Sequence, residues 1–449
     1  MITFTVSATG SPTPQTLSNK ISASRALQTI IAASPGTSPK QKTRRIVVKF
    51  GGSSLADKDR IAKSARLVFK EAAKGTRIVV VVSAMGKMTD QLIGLVNHDS
   101  KAPDKTDLDD VLAMGERTSV RIFATALKAE GLEARYFDPT DVDWPIITDD
   151  DFSNANPILE LCLQKVREHV VPLLDWGTVP VIAGFVGRST GGKISTIGRG
   201  GSDTTAFIIA KAIGADEVVL VTDADGILTA DPKIIPNARK LPQIEVGTLV
   251  GLAGSGTKFI HRKALKYKDP DIPVKVINHN KDDLEADGTI ITGGISGEIE
   301  VTFASSTPAM AITITGKAIS ENPEILAKVV REIRQHSMLD GLSATFDSVI
   351  FYVPQTPQTL LLTSVHDLVT GCSETLAMAV QANLAFLRVK GVGLEETPGI
   401  IGRISHRLRE NGINIFGMLT LASSILVFVS WDERETALNL MRQVVRGEL

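Results

Sequence analysis

The stretch ISTIGRGGSDTTAFIIAKAIGADEVVLVTDADG, residues 194–226, decides how the rest of the chain is read. It begins with a strand-like start and passes through a turn rich in glycine, with Gly198, Gly200 and Gly201 around Arg199. An apolar helix-like run follows at once, and then EVVLVTD, a β-branched run. Strand, turn, helix and strand in that order make one βαβ repeat, and the apolar strands suit burial on both faces. Similar strand runs stand at RIVVKF (45–50), RIVVVV (77–82) and PVIAGF (180–185). Helical patterns lie between them at 58–75, 108–131 and 204–215. The alternation predicts an α/β domain with a largely parallel sheet, from residue 45 to about 296.

The glycine turn itself has three readings: it holds a phosphate, a carboxylate, or only its own backbone. Gly200 and Gly201 allow close backbone approach. Ser202 and Asp203 stand where helix N-cap residues would. Arg199, at a helix entrance, offers a two-pronged grip on a carboxylate or phosphate.

Composition narrows the classes. The chain has 449 residues, 43% hydrophobic, with a formal net charge of -1. That size predicts several domains, and the near-neutral charge argues against a general nucleic-acid binder. Cys162 and Cys372 are the two cysteines, which excludes a disulfide scaffold and fits a reduced compartment. No apolar run approaches the roughly 20 residues that span a bilayer, so a soluble, cytoplasmic protein is expected. Residues 1–44 lack Asp and Glu and are rich in Ser and Thr, so they read as a disordered or targeting-like extension.

Two more motifs carry chemistry. In VVKFGGSS (47–54), a strand delivers Lys49, and Gly51 and Gly52 let backbone N–H groups approach an anion before a helix near Asp57. The bland alternative is a tight turn with an exposed lysine. In VLVTDADGILTADP (219–232), a strand ends in Thr222 and Asp223, and ligands of open α/β sheets gather at such ends. GRSTGGK (187–193) imitates a P-loop, but Ile194 stands where Ser or Thr is needed, so it reads as a hairpin tip. GLAGSG (251–256) lacks a preceding strand and fails as a dinucleotide fingerprint.

Taken in order, KFGGSS, VVVVSAMGKMTDQL, LAMGERTS, VIAGF, TIGRGGSDTTA, VTDADGILTADP and GTKFIH resemble the aspartate kinases over residues 46–292. The resemblance implies an amino-acid-kinase fold and transfer of the ATP γ-phosphoryl group to the side-chain carboxylate of L-aspartate. The product would be 4-phospho-L-aspartate, at the first step of lysine, threonine and methionine biosynthesis. It implies that Lys49, Gly51, Gly52, Ser53, Thr222, Asp223 and Lys258 meet the nucleotide. Ser83, Thr89, Glu116, Phe185, Arg199 and Ser202 would line the aspartate site, with Glu116 on the α-amino group. Lys49, Asp203 and Lys258 would carry catalysis, with ATP and Mg²⁺ required and no direct side-chain ligation of the metal. Leu228, Lys233, Arg262 and the helix VGTLVGLAGSG depart from the family pattern, all on the nucleotide side. Competing readings are another kinase of the superfamily, or a non-catalytic amino-acid sensor.

After a linker-like GGISGEIE, two strand–helix–strand units follow, at 297–384 and 385–449. They resemble paired ferredoxin-like ACT domains, which implies a lysine or threonine effector and a homodimer or higher homo-oligomer. The second unit keeps Pro398–Gly399 before its helix, whereas the first has Glu324 at the glycine position.

Overall fold

The computed structural model describes residues 43–96, 103–252, 260–295, 299–317, 319–355, 359–391, 394, 398–421 and 424–448. The targeting-like extension therefore lies outside the described residues, apart from Thr43 and Arg44.

The first half carries strands β1 (Arg45–Phe50), β2 (Arg77–Val82), β3 (Ala134–Phe137), β4 (Ile147–Thr148), β5 (Val179–Ala183), β6 (Val186–Ser189), β7 (Ile194–Thr196), β8 (Glu217–Thr222), β9 (Gln243–Glu245), β10 (Val274–Asn278) and β11 (Thr289–Thr292). Its helices are α1 (Lys58–Ala73), α2 (Met88–Val96), α3 (Lys105–Ala129), α4 (Leu159–His169), α5 (Val171–Trp176), α6 (Gly201–Ile213), α7 (Val246–Leu252) and α8 (Arg262–Leu265). Eight strands form one sheet in the order β3-β5-β2-β1-β8-β10-β11-β9. The pairs from β3 through β10 are parallel, and β11 runs antiparallel to β10. The apolar runs of β1, β2, β5 and β8 are buried because helices cover both faces of the sheet.

Helix α6 is buried on nearly every residue, which its all-round apolar sequence demands. It starts differently from the sequence reading. The N-cap is Gly200, at φ +77°, with no side-chain cap bond. Ser202 and Asp203 fall inside the first turn, so their side chains are free for partners outside the helix. GRSTGGK is a hairpin tip as read: β6 and β7 pair antiparallel, and the Ser189 N–H donates to the Lys193 carbonyl at 2.8 Å.

The second half holds β12 (Glu300–Phe303), β13 (Ala309–Gly316), α9 (Pro323–His336), β14 (Gly341–Ala344), β15 (Ser348–Pro354), α10 (Thr359–Thr370), β16 (Thr375–Lys390), α11 (Ile400–Glu410), β17 (Gly417–Leu421), β18 (Ser424–Ser430) and α12 (Arg434–Arg446). The first unit is β13-α9-β14-β15-α10-β16, with its sheet in the order β14-β15-β13-β16. The second reuses the last part of β16, which pairs with β18 on one side and with β12 on the other. The chain is thus less linear than the boundaries at 297–384 and 385–449 suggest. Strand β12 precedes the first unit but completes the sheet of the second, and it begins inside the expected linker, at Glu300.

The two units meet where β16 changes partners. Asn383 there has φ +60°, a left-handed conformation that a non-glycine residue adopts rarely. Its N–H donates to Gln355 Oε1 at 2.6 Å and its Nδ2 to Asp432 Oδ2 at 3.2 Å. Beside it the rings of Tyr352 and Phe428 stack at 4.2 Å, with Phe386 edge-on to both. Among the described residues, no helix is long and apolar enough to cross a membrane.

Replacing Asn383 tests this joint. Asn383→Gly is expected to cost little, whereas Asn383→Val should destabilise by about 1–3 kcal/mol, because a β-branched residue is strained at positive φ. Thermal and urea melts of both variants check this. Equal losses would place the cost in the Asp432 bond instead.

Candidate active site

Several of the sequence-selected residues, Lys49, Ser83, Glu116, Ser202, Asp203 and Thr222 among them, gather toward the carboxyl ends of β1, β2, β5 and β8. Phe50 lies beside Val221 in the β1–β8 register, so the turn after β1 and the end of β8 are neighbours. The Gly51 N–H donates to the Val221 carbonyl at 3.0 Å, and is therefore engaged in the sheet rather than offered to an anion. Gly52 has a different role. A Cβ there would stand 2.6 Å from the Ala84 carbonyl oxygen, so only glycine lets the two turns touch. The Gly86 N–H closes the contact by donating to the Gly52 carbonyl at 2.9 Å. Ser53 lies in the same short turn, and its carbonyl accepts from Arg60 at 2.7 Å.

Lys49 and Asp203 form the charged centre. Lys49 Nζ lies 2.8 Å from Asp203 Oδ1, with the side chains only 16% and 10% exposed. Beside them Ser83 Oγ donates to Ser202 Oγ at 3.0 Å. Two glycines permit this approach. A Cβ on Gly184 would strike the Ser202 side chain at 2.7 Å, and one on Gly201 would stand 2.9 Å from Phe185 Cα. Phe185 itself has φ +66°, and its carbonyl accepts from the Ile197 N–H at 2.8 Å.

Glu116 arrives from α3. Gly115 brings that helix against the end of β2, since a Cβ on it would lie 2.8 Å from Ala84 Cβ. Glu116 is 3% exposed, and its Oε1 accepts from the Ala84 N–H at 3.0 Å. Its Oε2 is buried with no hydrogen-bond partner among the described residues. Burial pushes its pKa up to about 7, against a smaller downward pull from the Ala84 N–H. A buried acceptor without a partner costs free energy unless a donor fills the place.

Thr222 ends β8 on the other side of the glycine turn, and Asp223 follows it. Thr222 Oγ1 donates to Asp223 Oδ1 at 3.2 Å, and Asn278 Nδ2 holds the Asp223 carbonyl at 3.0 Å. Thr89, in the first turn of α2, is half-buried, and Arg199 is exposed between Gly198 and Gly200. Lys258 lies outside the described residues. Arg262, a departure from the family pattern, donates to the Val250 carbonyl at 3.3 Å. Asp109 and Lys263 were not selected from the sequence, yet both hold the backbone that leads to Arg199. Only their position beside recognised motifs could have marked them.

Comparison with known proteins fits this geometry. Residues 44–278 match the model of the amino acid kinase family, and residues 379–443 match an ACT domain model. The chain belongs to the amino acid kinase family. Within that family it is similar to an aspartokinase of Thermus thermophilus, 31% identical over 416 residues, covering 89% of this chain and 98% of that one. An aspartokinase of Mycolicibacterium smegmatis is 31% identical over 419 residues, covering 89% and 95%. The solved aspartate kinase of Synechocystis superposes with a TM-score of 0.72 at 25% identity, covering 89% of this chain and 69% of that one. The chain is an aspartate kinase, an ATP-dependent enzyme with a carboxylate acceptor.

The raised pKa of Glu116 has a consequence for stability. The folded state holds this proton up to about pH 7, and the unfolded state releases it near the ordinary carboxyl value of 4.5. Its contribution to stability is present below the lower value and is lost as pH rises through the higher one. Glu116→Gln carries no such proton. It should match the parent in thermal midpoint at acid pH and exceed it above about pH 7. Melts across pH check this; a constant difference at all pH values would show that Glu116 does not titrate in this range.

Proposed function

We propose that aspartate and ATP meet at the carboxyl ends of β1, β2, β5 and β8, with Lys49 as the chief stabiliser of the transferring phosphoryl group. The observation that supports this most is the half-buried Lys49–Asp203 pair at 2.8 Å, beside the Gly52 turn and the unpartnered oxygen of Glu116. An aspartate side chain has a reference pKa of about 3.9, so the nucleophile is already ionised and needs no general base. A carboxylate oxygen forms the bond to the γ-phosphorus, the bond from that phosphorus to the bridging oxygen breaks, and ADP leaves. The difficulty is bringing a carboxylate to a triphosphate of like charge. Phosphoryl transfer is mostly positioning and electrostatic stabilisation, and cationic side chains supply both.

Each residue then has a place. Asp203 holds Lys49 in position and is not a proton acceptor. Glu116 Oε2 takes the α-ammonium of the substrate, the donor that its environment lacks. Arg199 grips the substrate's α-carboxylate, with Ser83, Thr89, Phe185 and Ser202 around it. Gly52, Ser53, Thr222, Asp223 and Lys258 take the nucleotide. Mg²⁺ would neutralise the triphosphate when bound, with Asp203 and Asp223 near it through water rather than as direct ligands.

The regulatory half supports a small amino acid, lysine or threonine, at the second unit of a homodimer or larger homo-oligomer. Gly399 caps α11 at φ +77° with no side-chain cap, which leaves the first-turn N–H groups open to a ligand carboxylate. In the first unit Asn322 caps α9 with its own side chain, and Glu324 puts a negative charge in the first turn. An anion would be repelled there.

Incubation with Mg-ATP, hydroxylamine and single amino acids tests the activity. Aspartyl hydroxamate is expected with aspartate alone, and lysine or threonine should reduce it. Arg199→Ala should raise the KM for aspartate by about tenfold or more, as the loss of a charge-assisted pair implies, with the KM for ATP little changed. Equal losses for both substrates would displace Arg199 from the aspartate side.

A further inference from the structure

We propose that Asp109 and Lys263 are positioning residues that clamp the backbone leading to Arg199, and so set the affinity for aspartate. Asp109 lies on α3, two helical turns before Glu116, and is fully buried. Its carboxylate accepts from the Thr196 N–H and Oγ1, both at 2.8 Å, and from the Ser153 N–H at 2.8 Å and Oγ at 3.1 Å. Lys263 lies on α8. Its ammonium donates to the carbonyls of Ile197 at 2.7 Å, Asn154 at 2.8 Å and Ala155 at 3.0 Å, and to Asn154 Oδ1 at 2.9 Å.

The two charges grip the same pair of segments by opposite poles. The carboxylate takes N–H groups at 153 and 196, and the ammonium takes carbonyls at 154, 155 and 197. The segments are joined to each other by the Ala155 N–H, which donates to the Thr196 carbonyl at 2.9 Å. Immediately beyond the clamp the chain turns through Gly198, at φ +81°, and Gly200, at φ +77°. Glycines in that region hold no conformation by themselves, so the direction of Arg199 depends on what anchors the residues before them. A Cβ on Gly198 would stand 3.0 Å from Asn154 Oδ1, the same atom that Lys263 holds. Ser153 is itself at φ +70°, a strained conformation kept by its two bonds to Asp109.

The clamp also ties Arg199 to Glu116. Asp109 and Glu116 share helix α3, so the group that holds the arginine's backbone and the proposed ammonium site move as one body. Spacing between a substrate's two charged groups and their partners is thereby set by one rigid helix. Misplacement by about 1 Å can cost about 100-fold in rate, which makes such a brace consequential.

The inference rests on the reading of Arg199 as the residue that grips aspartate, and the experiment separates the two. The full chain is assayed by hydroxamate formation as Lys263→Met, Lys263→Arg, Asp109→Asn, Arg199→Ala and the double variant Arg199→Ala with Lys263→Met. Lys263→Met and Asp109→Asn should each raise the aspartate KM by about tenfold and leave the ATP KM within about twofold. Lys263→Arg, which keeps the charge and the donors, should recover most of the affinity. The double variant should be no worse than Arg199→Ala alone, because both changes act through one contact. Should Lys263→Met fail to fold, Lys263→Gln, on a half-buried side chain, is expected to give a smaller rise with the same selectivity. Loss of thermal stability with both KM values unchanged, additive effects in the double variant, or equal rises for both substrates would overturn the clamp. Arg199→Ala alone having no effect on aspartate would instead overturn the reading beneath it.

Discussion

The Lys49–Asp203 ion pair is the interaction around which the catalytic half is arranged. Two charges that are mostly shielded from water rarely add stability, since lost hydration offsets their attraction. Their value is positional. Lys49 leaves β1 in the middle of the sheet, and Asp203 leaves the first turn of α6, a helix buried on almost all sides. The pair joins a central strand of the sheet to a helix buried along nearly its whole length. Removing either partner would leave a buried charge, a cost of about 3–5 kcal/mol for fully buried pairs and less here. The same shielding that makes the pair expensive also strengthens its field toward an incoming phosphoryl group.

Glycine makes that arrangement geometrically possible. Gly52, Gly184 and Gly201 each stand where a methyl group would meet a neighbour at under 3 Å. Each removes a side chain so that a polar group can reach the strand ends: the turn after β2, the Ser202 hydroxyl and the Phe185 backbone. The glycine-rich turn of residues 198–201 therefore serves proximity first. Gly200 takes the cap position by its backbone alone, which releases Ser202 and Asp203 from capping. A serine or aspartate cap there would point its oxygen back at its own helix and away from the site.

Much of this was legible in the sequence, and the parts that were not share a cause. Buried strands and amphipathic or buried helices announce themselves by period, so the parallel sheet and the hairpin at 187–193 could be read from the chain. Lys49, Glu116 and Asp203 carried motifs and lie toward the carboxyl ends of the central strands. The capping role given to Ser202 and Asp203 failed because residue type does not reveal φ, and Gly200 competed successfully for the same position. The supposed anion-facing N–H of Gly51 is bonded to Val221, a long-range partner that no local pattern encodes. Asp109 and Lys263 went unnoticed because most of their bonds run to backbone groups far away in sequence, which leaves no local signature. Strand β12 was not read from the sequence for a related reason: its pairing with a strand more than 80 residues away is invisible to periodicity.

The shared strand β16 gives the second half a property that two separate units would lack. Its early residues pair with β13, and from Leu384 onward it pairs with β18 and β12. A shift of β16 along its own axis would have to break ladders in both units together. Asn383 interrupts the strand at the change of partner, and the stacked rings of Tyr352 and Phe428 pack one unit against the other at that place. Packed aromatic faces resist small displacements, so the two units are held to one another at this joint. The two units nonetheless differ at their first helices: Gly399 caps α11 by its backbone alone, whereas Asn322 caps α9 with its side chain and Glu324 puts a negative charge in the first turn there.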